Sequence, residues 1–439
     1  MSKQNSGAPA RLAIVGGGSQ FVPSIFNGLV AAMGQAPRPF AAEVALFDVR
    51  QAAAERMARY GALVARMADL PLTTIACGTR AEALTAADLV LLCVSLPEER
   101  RRGEALAQTV GINPHEDDLG GIALALSIAP FCLALGIEMQ RLCPQALFLD
   151  LVNPTDILAT IVQGHSGVRS VGLCVEVEGL RGLLAYHLGL APDELELDHV
   201  GINHDGWVLR MRVGDRDAYP LWQRVQPGLE DDPAYHPQGM GGLAVYRLTG
   251  YLRSSTYHNL PYRFADPPGM WERVAQGWPE VRALHDHAVD EALATDTPIV
   301  DPWPAHPARS PLSYPGTGRQ IGRLLRAVGT GLPYVSALQV QNRGAIAGWP
   351  DDVTVEVPVL VEGCDVRPLA MGLAPEWLCA ATRLAAVQRR LVAEYALRRE
   401  PALLRQALAT IPWAAEERAL ETYARELHRR YGEWLAAEV

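Results

Sequence analysis

The first two hundred positions alternate between short, continuous apolar runs and longer stretches with apolar residues at helical spacing. Arg11–Val15, Glu43–Phe47, Leu72–Ala76, Ala87–Ser95 and Ala146–Val152 read as strands. The last two carry almost no polar alternation, the mark of parallel strands covered on both faces. A helical stretch runs from the turn after Val15 to about Met33. Gln51–Met67 places Ala, Met and Leu on one side and Arg and Glu on the other, as an amphipathic helix does. This rhythm predicts an α/β fold with a Rossmann-type, doubly wound parallel sheet.

One stretch raises a different question. Leu119–Ile137 has no charge and is long enough for a membrane span. Gly120, Gly121, Ser127, Pro130 and Gly136 interrupt it, and Glu138 and Arg141 follow at once. A buried core helix is therefore expected, with no membrane partner.

Beyond about residue 200 the pattern changes. Pro, Trp, Tyr and His crowd the segment from Trp207 to Pro315, as in loops around a cleft. Val353–Val361 alternates like a strand, and Pro375–Leu435 is largely helical with a break at Pro412. The expected organisation is a disordered tail (1–10), a dinucleotide-binding domain (11–200) and a second α+β domain (201–439) for substrate binding and oligomerisation. The architecture would be like that of lactate and malate dehydrogenases.

Composition narrows the function. Of 439 residues 49% are apolar and 20% charged, which excludes intrinsic disorder. A formal net charge of -10 offers no basic excess for phosphates, so a nucleic-acid partner is not expected. The only lysine is Lys3, in the polar tail. That excludes a Walker-type lysine, a Schiff base and a Tyr-x-x-x-Lys dehydrogenase. Seven scattered cysteines without a C-x-x-C point to reduced thiols and a cytoplasmic location.

Four groups of residues could carry chemistry. Gly16-Gly17-Gly18-Ser19 follows a strand and opens a helix, so its backbone N–H groups could face a pyrophosphate. Phe21 stands where the usual third glycine would be. Asp48, closing the second strand, suits the ribose hydroxyls of NAD, although Arg50 leaves room for NADP. Ser95 closes the fourth strand, on the same side. Asn153-Pro154 ends a core strand, either as a ligand contact or as a plain turn. Cys174 and His204 each end a short apolar run; they are either metal ligands or ordinary core residues. Tyr246, Tyr251, Tyr257, His258 and Tyr262, interleaved with Arg247, Arg253 and Arg263, form either a basic phenol site or an aromatic wall.

Together these residues resemble glycoside hydrolase family 4, the NAD- and metal-dependent glycosidases. The likeness rests on an ordered set: Gly16–Ser19, Asp48, the D-x-x-G-G segment at Asp117–Gly121, Asn153-Pro154, Gly172-Leu173-Cys174 and Gly201-Ile202-Asn203-His204. Val340–Ile346 and Val355-Glu356-Val357-Pro358 complete it. The family stands outside the two-carboxylate scheme of most glycosidases.

The resemblance implies oxidation of the sugar at C3 by NAD+, loss of the C2 proton to a base, and departure of the C1 substituent. Water then adds and hydride returns. A divalent metal, typically Mn2+, stabilises the enediolate oxygens. By the same analogy Cys174 and His204 bind the metal, and Asn153, Arg101 and Arg253 contact a small carbohydrate. Tyr251 is the C2 base with Tyr257 second in line, and Asp118 orients substrate or water. Family resemblance also implies a homodimer or homotetramer.

Two departures stand out. Val175 follows the cysteine where the family carries His or Asn, and Ser127 replaces an arginine. Arg100, Arg101 and Arg102 keep 6-phosphoglycosides among the expected substrates. Two rivals remain: a hydroxyl dehydrogenase of the lactate/malate type, and a catalytically inactive relative that binds nucleotide or sugar.

Overall fold

The computed structural model describes residues 9–94, 96–112, 119–231, 245–254, 270–300, 312, 314–410 and 415–437. Six strands are laid down first: β1 (Ala10–Val15), β2 (Ala42–Phe47), β3 (Leu72–Ala76), β4 (Leu89–Leu92), β5 (Leu147–Asp150) and β6 (Ser170–Gly172). Between them run α1 (Val22–Gly34), α2 (Gln51–Met67), α3 (Arg80–Leu84), α4 (Pro97–Thr109), α5 (Gly120–Leu142) and α6 (Thr155–Ser166). These strands pair in parallel in the order β3-β2-β1-β4-β5-β6. That is the doubly wound order in which ligands lie beyond the carboxyl ends of the strands.

Among the described residues the second half extends this same sheet, apart from one small two-stranded pair. It contributes α7 (Val175–Leu188), β7 (Leu195–Ile202), β8 (Asp205–Val213), β9 (Arg216–Asp217), α8 (Tyr219–Val225), β10 (Leu252–Ser254) and α9 (Met270–Thr295). Next come α10 (Pro315–Thr330), β11 (Tyr334–Gln341), β12 (Ile346–Ala347), β13 (Thr354–Glu362), β14 (Asp365–Pro368) and β15 (Gly372–Leu373). The chain ends in α11 (Glu376–Arg398), α12 (Pro401–Ala409) and α13 (Glu417–Ala437). From the edge of β6 the sheet continues as β11-β13-β7-β8-β10, every added pair antiparallel. The reason is physical: β6 alone would present an open row of backbone donors and acceptors, and β11 covers it. The domain boundary expected at 200/201 therefore falls inside a strand, since β7 spans Leu195–Ile202.

Two apolar layers flank the sheet. On one face Val22, Phe26 and Leu29 of α1, Met57 and Tyr60 of α2, and Leu324 and Leu325 of α10 pack over β1 and β2. On the other, α5, α6, α12 and α13 pack over β4 and β5. The charge-free α5 is long and apolar enough to cross a membrane, yet most of it is buried inside this second layer. A helix that is apolar all round is what a central core position requires.

Helices α1 and α10 touch backbone to backbone. A Cβ on Gly28 would sit 2.1 Å from the Gly318 carbonyl oxygen, and one on Gly322 2.3 Å from that of Gly28. Gly28→Ala is therefore expected to destabilise the fold by about 3 kcal/mol through overpacking. The urea midpoint measures it; an unchanged midpoint would contradict this close approach.

Candidate active site

The glycine turn, Asp48, Asn153, Cys174 and His204 follow the C-terminal ends of β1, β2, β5, β6 and β7 respectively. At the end of β1, Gly16 has φ +97°. Its missing Cβ would lie 2.7 Å from the Cys93 carbonyl, so only glycine fits between the ends of β1 and β4. The Gly16 and Gly17 N–H groups donate to the Phe47 carbonyl at 2.9 and 2.8 Å, which ties the turn to the end of β2. Asp48 accepts from the Gly18 N–H at 2.9 Å through one oxygen and from the Arg50 N–H at 2.9 Å through the other. Each oxygen has a second lone pair to offer a ribose hydroxyl, so the residues fit a dinucleotide. Phe21 stacks on Tyr314 with ring centroids 5.1 Å apart. Ser95 lies outside the described residues.

At the end of β6, Cys174 is the N-cap of α7, and its Sγ accepts from the Glu176 N–H at 3.4 Å. His204 occupies the tight turn between β7 and β8 with φ +59°. Cys174 and His204 are both buried. The ligand atoms of Cys174, Glu176 and His204 lie within 4.8 Å of one another. Thiolate, imidazole and carboxylate together are a donor set for a divalent ion. Burial pushes the Cys174 thiol up to about 12, opposed by His204 and reinforced by the carboxylates of Glu356 and Glu176. A bound cation inverts that balance, since a coordinating thiol is deprotonated.

A buried polar network underlies this cluster. The Asn203 amide donates to Asn153 Oδ1 at 3.2 Å, and the Gln339 amide donates to Asn203 Oδ1 at 3.0 Å. Thr155 Oγ1 donates to Gln339 Oε1 at 2.5 Å. Arg389 Nη1 reaches Asp156 Oδ2 at 2.6 Å and the Asn203 carbonyl at 2.8 Å, gripping the backbone beside His204. Glu356 faces the same region from β13. It is 1% exposed, and its Oε1 has no hydrogen-bond partner. Burial first, then the nearby Glu176 charge, pushes its carboxyl up to about 8. Behind it, His199 contacts the Glu356 carbonyl and Ser254 Oγ, and burial takes its pKa down to about 4.

Other expected residues sit apart from this centre or are occupied. Asn153 is in the network. Arg253 is buried in an ion pair with Asp205 at 3.0 Å and lies over the Trp207 ring at 5.6 Å, so its guanidinium is already committed within the protein. Tyr251 is half-buried, edge-on to Trp377 with centroids 6.3 Å apart. Arg101 is exposed on α4. Asp118 and Tyr257, like His258, Tyr262 and Arg263, lie outside the described residues.

Sequence reasoning missed Gln339, Arg389 and Asp156, and it quoted Glu176 and Glu356 only within motifs. Glu176 was legible in part, as an acid two positions after a candidate ligand. Glu356 carried a signal too, a carboxylate in the middle of an apolar run. The Arg389 contact has none, being made from a helix late in the chain.

A dinucleotide-type sheet with a glycine turn, a strand-end aspartate and a buried thiol–imidazole–carboxylate cluster on one edge defines an enzyme frame of the redox, metal-assisted class. Residues 11–190 match the description "Family 4 glycosyl hydrolase", and residues 199–413 match "Family 4 glycosyl hydrolase C-terminal domain". The chain belongs to glycosyl hydrolase family 4.

Among curated relatives, an alpha-galactosidase of Bacillus subtilis is 24% identical over 347 residues, covering 77% of each chain. Among solved structures, a 6-phospho-beta glucosidase of Thermotoga maritima, with manganese, NAD+ and glucose-6-phosphate, superposes with a TM-score of 0.71. Identity is 19%, and the match covers 96% of this chain and 98% of that one. A malate dehydrogenase of Plasmodium falciparum follows at a TM-score of 0.51 and 11% identity, covering 88% and 98%. The expected architecture is therefore the observed one.

Proposed function

We propose that this chain is a glycosidase that cleaves a small carbohydrate glycoside with the help of NAD+ and a divalent ion, Mn2+ by preference. The observation that carries the reading is the Cys174–Glu176–His204 cluster on the same sheet edge as the Gly16–Ser19 turn and Asp48. Gly16, Gly17, Gly18 and Asp48 would hold the dinucleotide, and Cys174 and His204 the ion. When bound, the two supply reversible hydride acceptance and Lewis acidity toward sugar oxygens.

The protein's own groups do the rest. Asn153, held by Asn203, presents an amide to sugar hydroxyls. Gln339 and Arg389 fix Asn203 and with it the turn that carries His204. A phenol from the Tyr251–Tyr257 segment is the base for the C2 proton; Tyr251 is partly buried against the main apolar core. Asp118 and Arg101 complete the proposed substrate surroundings, while Arg253, paired with Asp205, supports them from within the protein. Free thiols at all seven cysteines support a cytoplasmic location. Leu373 and Trp377, both strongly exposed and four residues apart, support a homodimer or homotetramer.

A panel of nitrophenyl glycosides and their 6-phosphates tests the reading. Nitrophenol release is expected only with NAD+ and Mn2+ together, without net NADH. Cleavage that survives removal of both ends the proposal. Accumulating NADH would instead favour the dehydrogenase, for which the malate dehydrogenase likeness in fold is the one specific support.

A further inference from the structure

We propose that Glu176 is a third protein ligand of the divalent ion, beside the Cys174–His204 pair. The inference rests on the reading that this centre holds such an ion. Bonds of about 2.0–2.3 Å to a common ion bring neighbouring donors to about 3–4.5 Å from one another. The three donor atoms here, all within 4.8 Å, need only small side-chain adjustments to meet that condition.

The local backbone explains the convergence. Cys174 caps α7, and Glu176 is the second residue of its first turn. The Glu176 N–H points back to Cys174 Sγ at 3.4 Å, so thiol and carboxylate rise from one turn of chain. A helix N-terminus favours anionic groups, which lowers the cost of holding two of them together. The other acid of this turn, Glu178, is engaged differently, in an ion pair with Arg181 at 3.3 Å. Glu176 is thus the acid directed to the thiol and imidazole.

Charge and hardness point the same way. Val175, the apolar residue after the cysteine, offers the centre no donor. A carboxylate one position later restores one and changes its character. Thiolate plus carboxylate balance a dication, with imidazole neutral. Carboxylate oxygen also shifts a thiolate–imidazole pair toward harder ions such as Mn2+. The ion would then be held firmly before substrate arrives.

Titration of the full-length protein with Mn2+, following free ion by electron paramagnetic resonance without substrate, tests this directly. E176Q is expected to weaken Mn2+ binding at least tenfold and to abolish most of the Mn2+-induced rise in Tm, with the metal-free Tm unchanged. E176D, which keeps the charge, is expected to fall between the two. E176Q binding Mn2+ within twofold of the unaltered protein would overturn the role of Glu176 alone. Absence of Mn2+ binding by the unaltered protein would overturn the metal centre itself.

Discussion

Cys174→Ala is expected to lower kcat/KM by at least about a thousandfold and to leave the protein folded. A Lewis-acid ion contributes several kcal/mol to stabilising charge in the transition state, and each 1.36 kcal/mol is about a factor of ten. Cys174 is the softest donor of the cluster and the residue through which α7 is capped. On the proposed reading its removal would cost the ion its thiolate and leave imidazole and carboxylate. The cap itself is a weak one, a thiol accepting at 3.4 Å, so the stability loss is small beside the catalytic one. Steady-state kinetics with excess NAD+ and Mn2+, alongside a thermal melt, separate the two effects. Activity within tenfold of the unaltered protein would exclude the thiol from the metal centre.

Arg389→Leu is expected to have the largest effect on stability, about 3–5 kcal/mol. Asp156 is almost wholly buried and Arg389 nearly so, at 1% and 12% side-chain exposure. Removing one member of such a pair strands the other charge in a low-dielectric interior. The nearby carboxyls of Asp150 and Glu356 are themselves pushed up by burial, and Asp156 adds to both shifts. An unneutralised Asp156 would aggravate that crowding. The same guanidinium holds the Asn203 carbonyl, so the variant should also loosen the His204 turn and weaken metal binding. Asp156→Asn tests the same link more gently and should recover part of the loss in combination with Arg389→Leu. Urea midpoints of the two single variants and the double variant measure the coupling.

The parts of this molecule that were legible in its sequence are those fixed by local pattern. The continuous run around Leu89–Leu92 became a central parallel strand, and Gln51–Met67 formed a helix with those bounds. The Gly16 turn and Asp48 follow from short-range geometry, since both lie within one β-α-β unit. Cys174 and His204 could be named but not brought together by sequence, because two inserted strands, β11 and β13, separate β6 from β7 in the sheet. Glu356, Gln339 and Arg389 reach the centre only through those insertions and through α11. The orientation of Arg253 depends on its register opposite Trp207, which no sequence spacing announces.

The way β11 closes over β6 has a bearing on how the catalyst could have been assembled and dissected. Among the described residues, the first six strands and the later ones share one ladder of peptide hydrogen bonds. Cutting the gene between the two matched segments would bare an adhesive flank on each fragment. Neither piece would be a tidy module, and mixing them would restore function only if strands re-annealed in register.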